Sequence, residues 1–214
     1  MTKDREFSAL LYLGAAFVAA LVTANLISGK IVAVGGVFVP AGILAYSITF
    51  AMTDTICEVW GRKRTQAVVN AGFIVLLLAW ITVALAIRLP SAPFWQGQAA
   101  YAAVLGTANR IILASLIAYA VSQTLDVWLY HRLKLATASR MLWLRNNVST
   151  LIAQSVDTVI FVSIAFYGDL PLLPIMLGQL TVKYVIALLD TPVVYGLVFL
   201  VRLRLDDGRA VNAA

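Results

Sequence analysis

The feature that most limits what this chain can fold into is the recurrence of long apolar runs. Six stand out: about Phe7–Ile27, Pro40–Cys57, Ala67–Ile87, Ile111–Tyr130, Val148–Tyr167 and Leu172–Val201. A helix needs roughly 20 apolar residues to cross a hydrocarbon core about 30 Å thick, and the runs are of about that length. No soluble core could hide them. Of 214 residues, 62% are hydrophobic and 12% charged, against about 45–50% and about 25% in soluble globular proteins. The expected fold is an all-α integral membrane protein, a six-transmembrane-helix bundle. It fills residues 1–214 as a single transmembrane domain. The first run follows the charged "TKDRE" and could pass for a signal peptide, but it exceeds the roughly 7–15 residues of such a segment and more runs follow. It is read as a retained helix.

The formal charge of +6 raises nucleic acid as a partner, but its distribution argues for a bilayer instead. Lys3 and Arg5 precede the first run, and Arg62, Lys63 and Arg64 follow the second. Arg132, Lys134, Arg140 and Arg145 follow the fourth; Arg202, Arg204 and Arg209 follow the sixth. The intervening loops hold only Lys30, Arg88 and Arg110. The positive-inside rule then puts both termini in the cytoplasm, in a multi-pass protein of the cell inner (cytoplasmic) membrane. Cys57 and His131 are the only residues of their kinds, so the chain has neither an internal disulfide nor a Cys/His set for zinc. No metal or cofactor is expected. His131 suits a helix end and Cys57 a packing position. Between the first two runs, "SGKIVAVGGVFVPAG" is rich in Gly and β-branched residues and suits a short extended or hairpin excursion. "LPSAPFWQGQAAYAAVLGTANR" suits the outer interface, with Trp95 and Tyr101 at the boundary.

Against this apolar background the polar residues within the runs stand out. An ionisable side chain at the centre of a membrane helix costs about 2.5–3.5 kcal/mol on the insertion scale. Asp54 and Glu58 lie near the cytoplasmic end of the second run, Asp126 in the fourth, Asp157 in the fifth, and Lys183 and Asp190 in the sixth. Asn25, Ser115, Gln123, Ser149, Thr150, Gln154 and Gln179 accompany them. Each has a structural reading: Glu58 pairing with Arg62 one turn on, Lys183 with Asp190, the amides and hydroxyls bracing neighbouring helices. Together, polar residues in five of the six runs read as a polar solute site or pathway inside the bundle. "SQTLD" and "AQSVD", 31 residues apart, repeat Gln-x-x-Asp in the fourth and fifth runs and place amide and carboxylate on one helical face. Carboxylates accept, Lys and Arg donate, amides do both, and aromatic rings stack. That set suits a flat polar heterocycle with a guanine-like edge.

At these residues the chain resembles the queuosine precursor transporters, also called the vitamin uptake transporter family. The likeness lies in "TDTICEVWGRKR" after a Gly-rich loop, "NRIILASLIAYAVSQTLDVWLYHRLK", "LWLRNNVSTLIAQSVDTVIFVSIAF" and "VKYVIALLDTPVVYG". It extends from about Asn25 to Gly196. Its most specific parts are S-x-x-A-Y-x-x-x-Q-x-x-D, from Ser115 to Asp126, and S-T-x-x-x-Q-x-x-D-T, from Ser149 to Thr158. The resemblance implies a six-helix carrier for 7-deazapurines: 7-cyano-7-deazaguanine and its aminomethyl relative, precursors of queuosine in tRNA. It suggests Asp54, Glu58, Arg110, Ser115, Gln123, Asp126, Ser149, Thr150, Gln154, Asp157 and Lys183 as family-pattern residues. By their chemistry, Gln123, Asp126, Gln154, Asp157, Lys183, Asn25, Ser149 and Thr150 are read as substrate-binding, and Asp54, Glu58, Asp190 and Arg110 as gating or coupling. Such a chain is a secondary or facilitative carrier, not an enzyme. The alternative is a substrate-binding membrane subunit driven by a separate ATP-hydrolysing module, since the chain has no Walker motif. An intramembrane enzyme lacks catalytic apparatus here, with neither H-E-x-x-H nor G-x-S-x-G; a non-transporting scaffold would need the intramembrane Asp residues only for assembly. A homodimer suits so small a bundle, though no residue specifies one.

Overall fold

A computed structural model describes residues 2–136 and 142–210, excepting the side chains at 2–3, 126–127, 130–131, 133–136, 142–150, 187–191 and 204–210. Among the described residues the apolar runs form six helices: α1 (Thr2–Ile27), α2 (Ile43–Trp60), α3 (Arg62–Arg88), α4 (Gln98–Ala136), α5 (Leu142–Phe166) and α6 (Leu172–Ala210). A two-stranded hairpin, β1 (Ile31–Val34) and β2 (Val37–Pro40), joins α1 to α2. Asp4–Ile27, Arg62–Arg88 and Gln98–Leu125 are long and apolar enough to cross a membrane by length and composition. The protein is a helical membrane protein.

The hairpin follows directly from its sequence. Ile31 pairs with Pro40 and Val34 with Val37 in antiparallel register, leaving Gly35 and Gly36 as a two-residue turn. Their φ angles are 57° and 84°. A tight turn that matches strand twist needs φ above zero at both positions, and glycine takes it without steric cost. β2 is drawn into the bundle, where Val39 and Pro40 are buried. Its backbone lies against α6 so closely that a Cβ on Gly178 would collide with the Phe38 carbonyl. Gly42, at the start of α2, is packed as tightly against Ser28 and the Ala24 carbonyl.

The helices depart from the apolar runs at their ends. Residues 40–42 belong to the hairpin and its exit, so α2 starts later than the hydrophobicity implies. Arg62, Lys63 and Arg64 are the first turn of α3 and not a loop, because Gly61 alone separates α2 from α3. That break also ends the i,i+4 register between Glu58 and Arg62; Glu58 meets Arg202 of α6 instead, at 3.4 Å. α4 begins at Gln98, well before Ile111, since "QAAYAAVLGTANR" is rich in strong helix formers and Gln98 donates to the Ile87 carbonyl at 3.0 Å. Trp95 and Tyr101 meet edge to face just there, 5.8 Å between ring centres.

The start of α6 packs on β2 at Gly178, while Glu58 near the end of α2 reaches Arg202 far along α6, so the helix ends gather at two poles. The hairpin and the α5–α6 turn mark one, the α2–Gly61–α3 junction the other. α4 packs most extensively against α5. Ile111, Ala114 and Ala118 meet Phe161, Val162 and Ala165 there, with Ile175 of α6. A second cluster joins Leu76 of α3 to Ile112 and Leu116, flanked by Leu21 and Phe73. Leu44, Leu78, Val104, Leu173 and Phe199 face outward, as helices in lipid require of their perimeter.

Candidate functional site

All six helices contribute to a cavity of about 400 Å³, within the roughly 300–1,000 Å³ typical of small-molecule sites. Its charged centre joins α5 and α6. Lys183 Nζ lies 2.9 Å from Asp157 Oδ2 and donates to Thr158 Oγ1 at 3.1 Å. Ser122 of α4 donates to Asp157 Oδ1 at 3.3 Å, and the Tyr46 ring of α2 lies 5.6 Å from Nζ. Lys183 is only 5% exposed and Asp157 20%. A pair so deep is tolerable because each charge compensates the other and further polar groups share the load.

Toward the hairpin the wall is amide and hydroxyl. Asn25 of α1 donates to the Leu21 carbonyl at 2.9 Å and accepts from Ser115 of α4 at 2.6 Å. Ser28 donates to the Ala24 carbonyl at 2.6 Å. Gln179 lies one helical turn from Lys183 on α6, so both project from the same face. Rings form the flanks: Tyr46 and Phe50 are 5.0 Å apart, Phe73 and Tyr119 5.4 Å. At the hairpin pole Ser28, Pro40 and Gly42 are buried, whereas at the other pole the lining reaches the exposed Gln66 and Gln123. The cavity is closed beneath the hairpin and reaches the surface toward the Gly61 pole.

The expected site residues divide accordingly. Asn25, Ser115, Gln123, Gln154, Asp157 and Lys183 line the cavity. Asn25 does so with its amide already engaged, as a brace would. The side chains of Asp126, Ser149, Thr150, Asp190 and His131 lie outside the described residues. The matched Gln-x-x-Asp faces are therefore visible in full only on α5, and Lys183 meets Asp157 on the neighbouring helix. Asp54 and Glu58 are exposed on α2 and away from the lining. Arg110 is also away from it. Its guanidinium donates to the Ile164 carbonyl at 2.7 Å, to the Tyr167 carbonyl at 2.6 Å and to Asp169 at 2.7 Å, clamping α4 to the α5–α6 turn. Tyr46, Ser122 and Thr158 belong to the charged centre without having been singled out. Ser122 and Thr158 were within reach, since each hydroxyl directly adjoins a Gln-x-x-Asp motif. Tyr46 carries no such signal.

Comparison with known proteins accords with this architecture. A family profile described as "Putative vitamin uptake transporter" matches residues 40–197. The "Probable queuosine precursor transporter" of Bacillus subtilis (strain 168) is 33% identical over 180 residues, covering 82% of this chain and 79% of that protein. The "Queuosine precursor transporter" of Escherichia coli (strain K12) is 28% identical over 166 residues, 78% of this chain and 72% of that protein. A "Probable queuosine precursor transporter" of Haemophilus influenzae is 29% identical over 126 residues, 59% and 51% of the two chains. No solved structure matches. With the profile spanning most of the chain, including the hairpin exit, the Gly61 junction and the Asp157–Lys183 centre, this protein belongs to the vitamin uptake transporter family, that of the queuosine precursor transporters.

Proposed function

We propose that this protein takes up queuosine precursors, 7-cyano-7-deazaguanine and its aminomethyl relative, across the cell inner membrane. It acts as a secondary or facilitative carrier and not as an enzyme, with six spans and both termini in the cytoplasm. Family membership supports the substrate class, and one observation carries the reading into the molecule: a buried carboxylate–ammonium pair in the wall of a ring-flanked cavity. A 7-deazaguanine offers two adjacent donors, its ring N1–H and its exocyclic amine, which the Asp157 carboxylate accepts together. Its carbonyl oxygen accepts from Lys183, whose ammonium has one donor left beyond those to Asp157 and Thr158. Tyr46 and Phe50 on one side, Phe73 and Tyr119 on the other, offer faces for the flat ring. With the basic Gly61 pole in the cytoplasm, the cavity is an inward-facing state, and transport proceeds by alternating access around this site. Gln154 completes the polar wall near Asp157, while Asp54 and Glu58 act at the cytoplasmic mouth.

The test is uptake of radiolabelled 7-cyano-7-deazaguanine into proteoliposomes containing the purified chain alone, with and without a proton gradient. The expected result is saturable entry that Asp157→Asn abolishes at equal protein level. Dependence on the gradient separates a secondary from a facilitative carrier. Tight binding without entry assigns the chain instead to a substrate-binding subunit of an ATP-driven system. Neither binding nor entry by correctly inserted protein overturns the proposal.

A further inference from the structure

Gln179 is, among the described residues, the cavity-lining side chain with a buried polar atom that nothing in the arrangement above engages. It is 8% exposed, it lines the cavity, and its Oε1 has no hydrogen-bond partner among the described residues. Its position is fixed from behind, because Gly178 beside it is pressed against the β2 backbone at Phe38. Asn25, an equally buried amide across the same wall, has both ends engaged by Leu21 and Ser115. Buried polar atoms are satisfied in the great majority of cases, and an exception beside a ligand-sized space points to a ligand. An orphaned carbonyl oxygen requires a donor, and the amide nitrogen beside it offers one to an adjacent acceptor.

Resting on the carrier reading above, we infer that Gln179 is a specificity residue that recognises the pyrrole-side edge of the base, ring N9–H beside ring N3. The assignment follows from distance along the base. The Asp157 carboxylate takes N1–H and one N–H of the exocyclic amine, which leaves the second amine N–H and N9–H. Of these, N9–H lies farther from the carboxylate, on the five-membered ring, as the place of Gln179 toward the hairpin requires, and N3 next to it accepts from Nε2. The edge opposite, with the carbonyl oxygen and the substituent at position 7, faces away from Gln179. Because N9 is the atom that carries the sugar in a nucleoside, the same contact selects free bases over nucleosides.

The experiment measures binding of three ligands to the purified full chain: 7-cyano-7-deazaguanine, its 9-methyl derivative and its ribonucleoside. The wild type is expected to prefer the free base to the 9-methyl compound by about 10-fold or more, the scale of leaving a buried acceptor unpaired. Gln179→Leu is expected to weaken the free base by a similar factor, leave the 9-methyl compound nearly unchanged, and so collapse the preference. Gln179→Glu keeps an acceptor for N9–H and is expected to retain the preference; it also answers the question should the Leu variant fail to accumulate. Wild type that binds the base but does not discriminate against the 9-methyl compound overturns the inference. So does a Leu variant that weakens both ligands equally, or a Glu variant that loses the preference. Wild type that binds none of the three is the failure of the carrier reading itself.

Discussion

Lys183 and Asp157 show how much a single contact can decide. Breaking a buried ion pair by removing one partner costs about 3–5 kcal/mol, because the remaining charge keeps its desolvation penalty and loses its compensation. Lys183→Met and Asp157→Asn are each expected to lower the melting temperature of the detergent-purified protein, and the double variant to recover most of that loss. Uptake is expected to stay absent in all three. A double variant no more stable than the singles would show that the pair is not what joins α5 to α6. Ser115 makes the opposite case: Ser115→Ala removes the donor to Asn25 and is expected to cost about 1 kcal/mol of stability while substrate affinity stays the same. A large loss of affinity would move Asn25 from brace to binding residue. As letters, Asn25 and Gln179 are equivalent, polar amides in apolar helices. What separates them is that Ser115 stands opposite one and, among the described residues, no hydrogen-bond partner meets the carbonyl oxygen of the other. That depends on how α1, α4 and α6 meet, so the local sequence does not encode it. Asp157 and Lys183 were legible for a different reason: a charge inside an apolar run is costly wherever the helix packs.

At the scale of elements, hydrophobicity located the helices because every run long enough to span a membrane must be helical or closed in a barrel. It misplaced their ends because apolar character and helical hydrogen bonding stop at different residues. The basic run is the plainest instance. Three cations at a helix start oppose the helix dipole, which argues for a loop, yet Gly61 turns the chain within one residue, at φ 79° and ψ 168°. Only glycine occupies that region without strain. A Cβ there would meet nothing within 4 Å, so Gly61→Ala isolates the backbone term and is expected to cost about 1–3 kcal/mol. Gly178→Ala tests the contrary case, a helical glycine whose side-chain space is filled by the β2 backbone. It is expected to loosen the hairpin from α6, which faster hydrogen exchange at the β1–β2 amides reports. Unchanged exchange would mean that the hairpin is held by its buried Val39 and Pro40 and not by close approach to α6.

For the whole molecule, composition and the spacing of basic residues led to the membrane and to an orientation, since both are sums over the chain that survive errors at any one residue. The direction in which the cavity opens is not such a sum. It depends on where the hairpin seats and on Arg110 tying α4 to the α5–α6 turn, contacts between segments far apart in sequence. A carrier working by alternating access must exchange this closed pole for an open one, so the two ends of the lining should respond oppositely to substrate. On a Cys57→Ser background, Gln66→Cys is expected to react with a membrane-impermeant maleimide in inside-out vesicles and not in intact cells, and Ser28→Cys to be inert in both. Adding 7-cyano-7-deazaguanine is expected to slow labelling at Gln66→Cys as the occupied carrier samples other states. Labelling of Gln66→Cys from the outside would reverse the orientation read from the basic residues. Labelling of Ser28→Cys that is fast from the start would mean that the hairpin does not close the cavity in the membrane. Between those outcomes, the position of Gln179 matters most: in the proposed uptake the base enters from the hairpin side once that pole opens, so it would meet Gln179 first, and the check at N9 would precede recognition by Asp157 and Lys183.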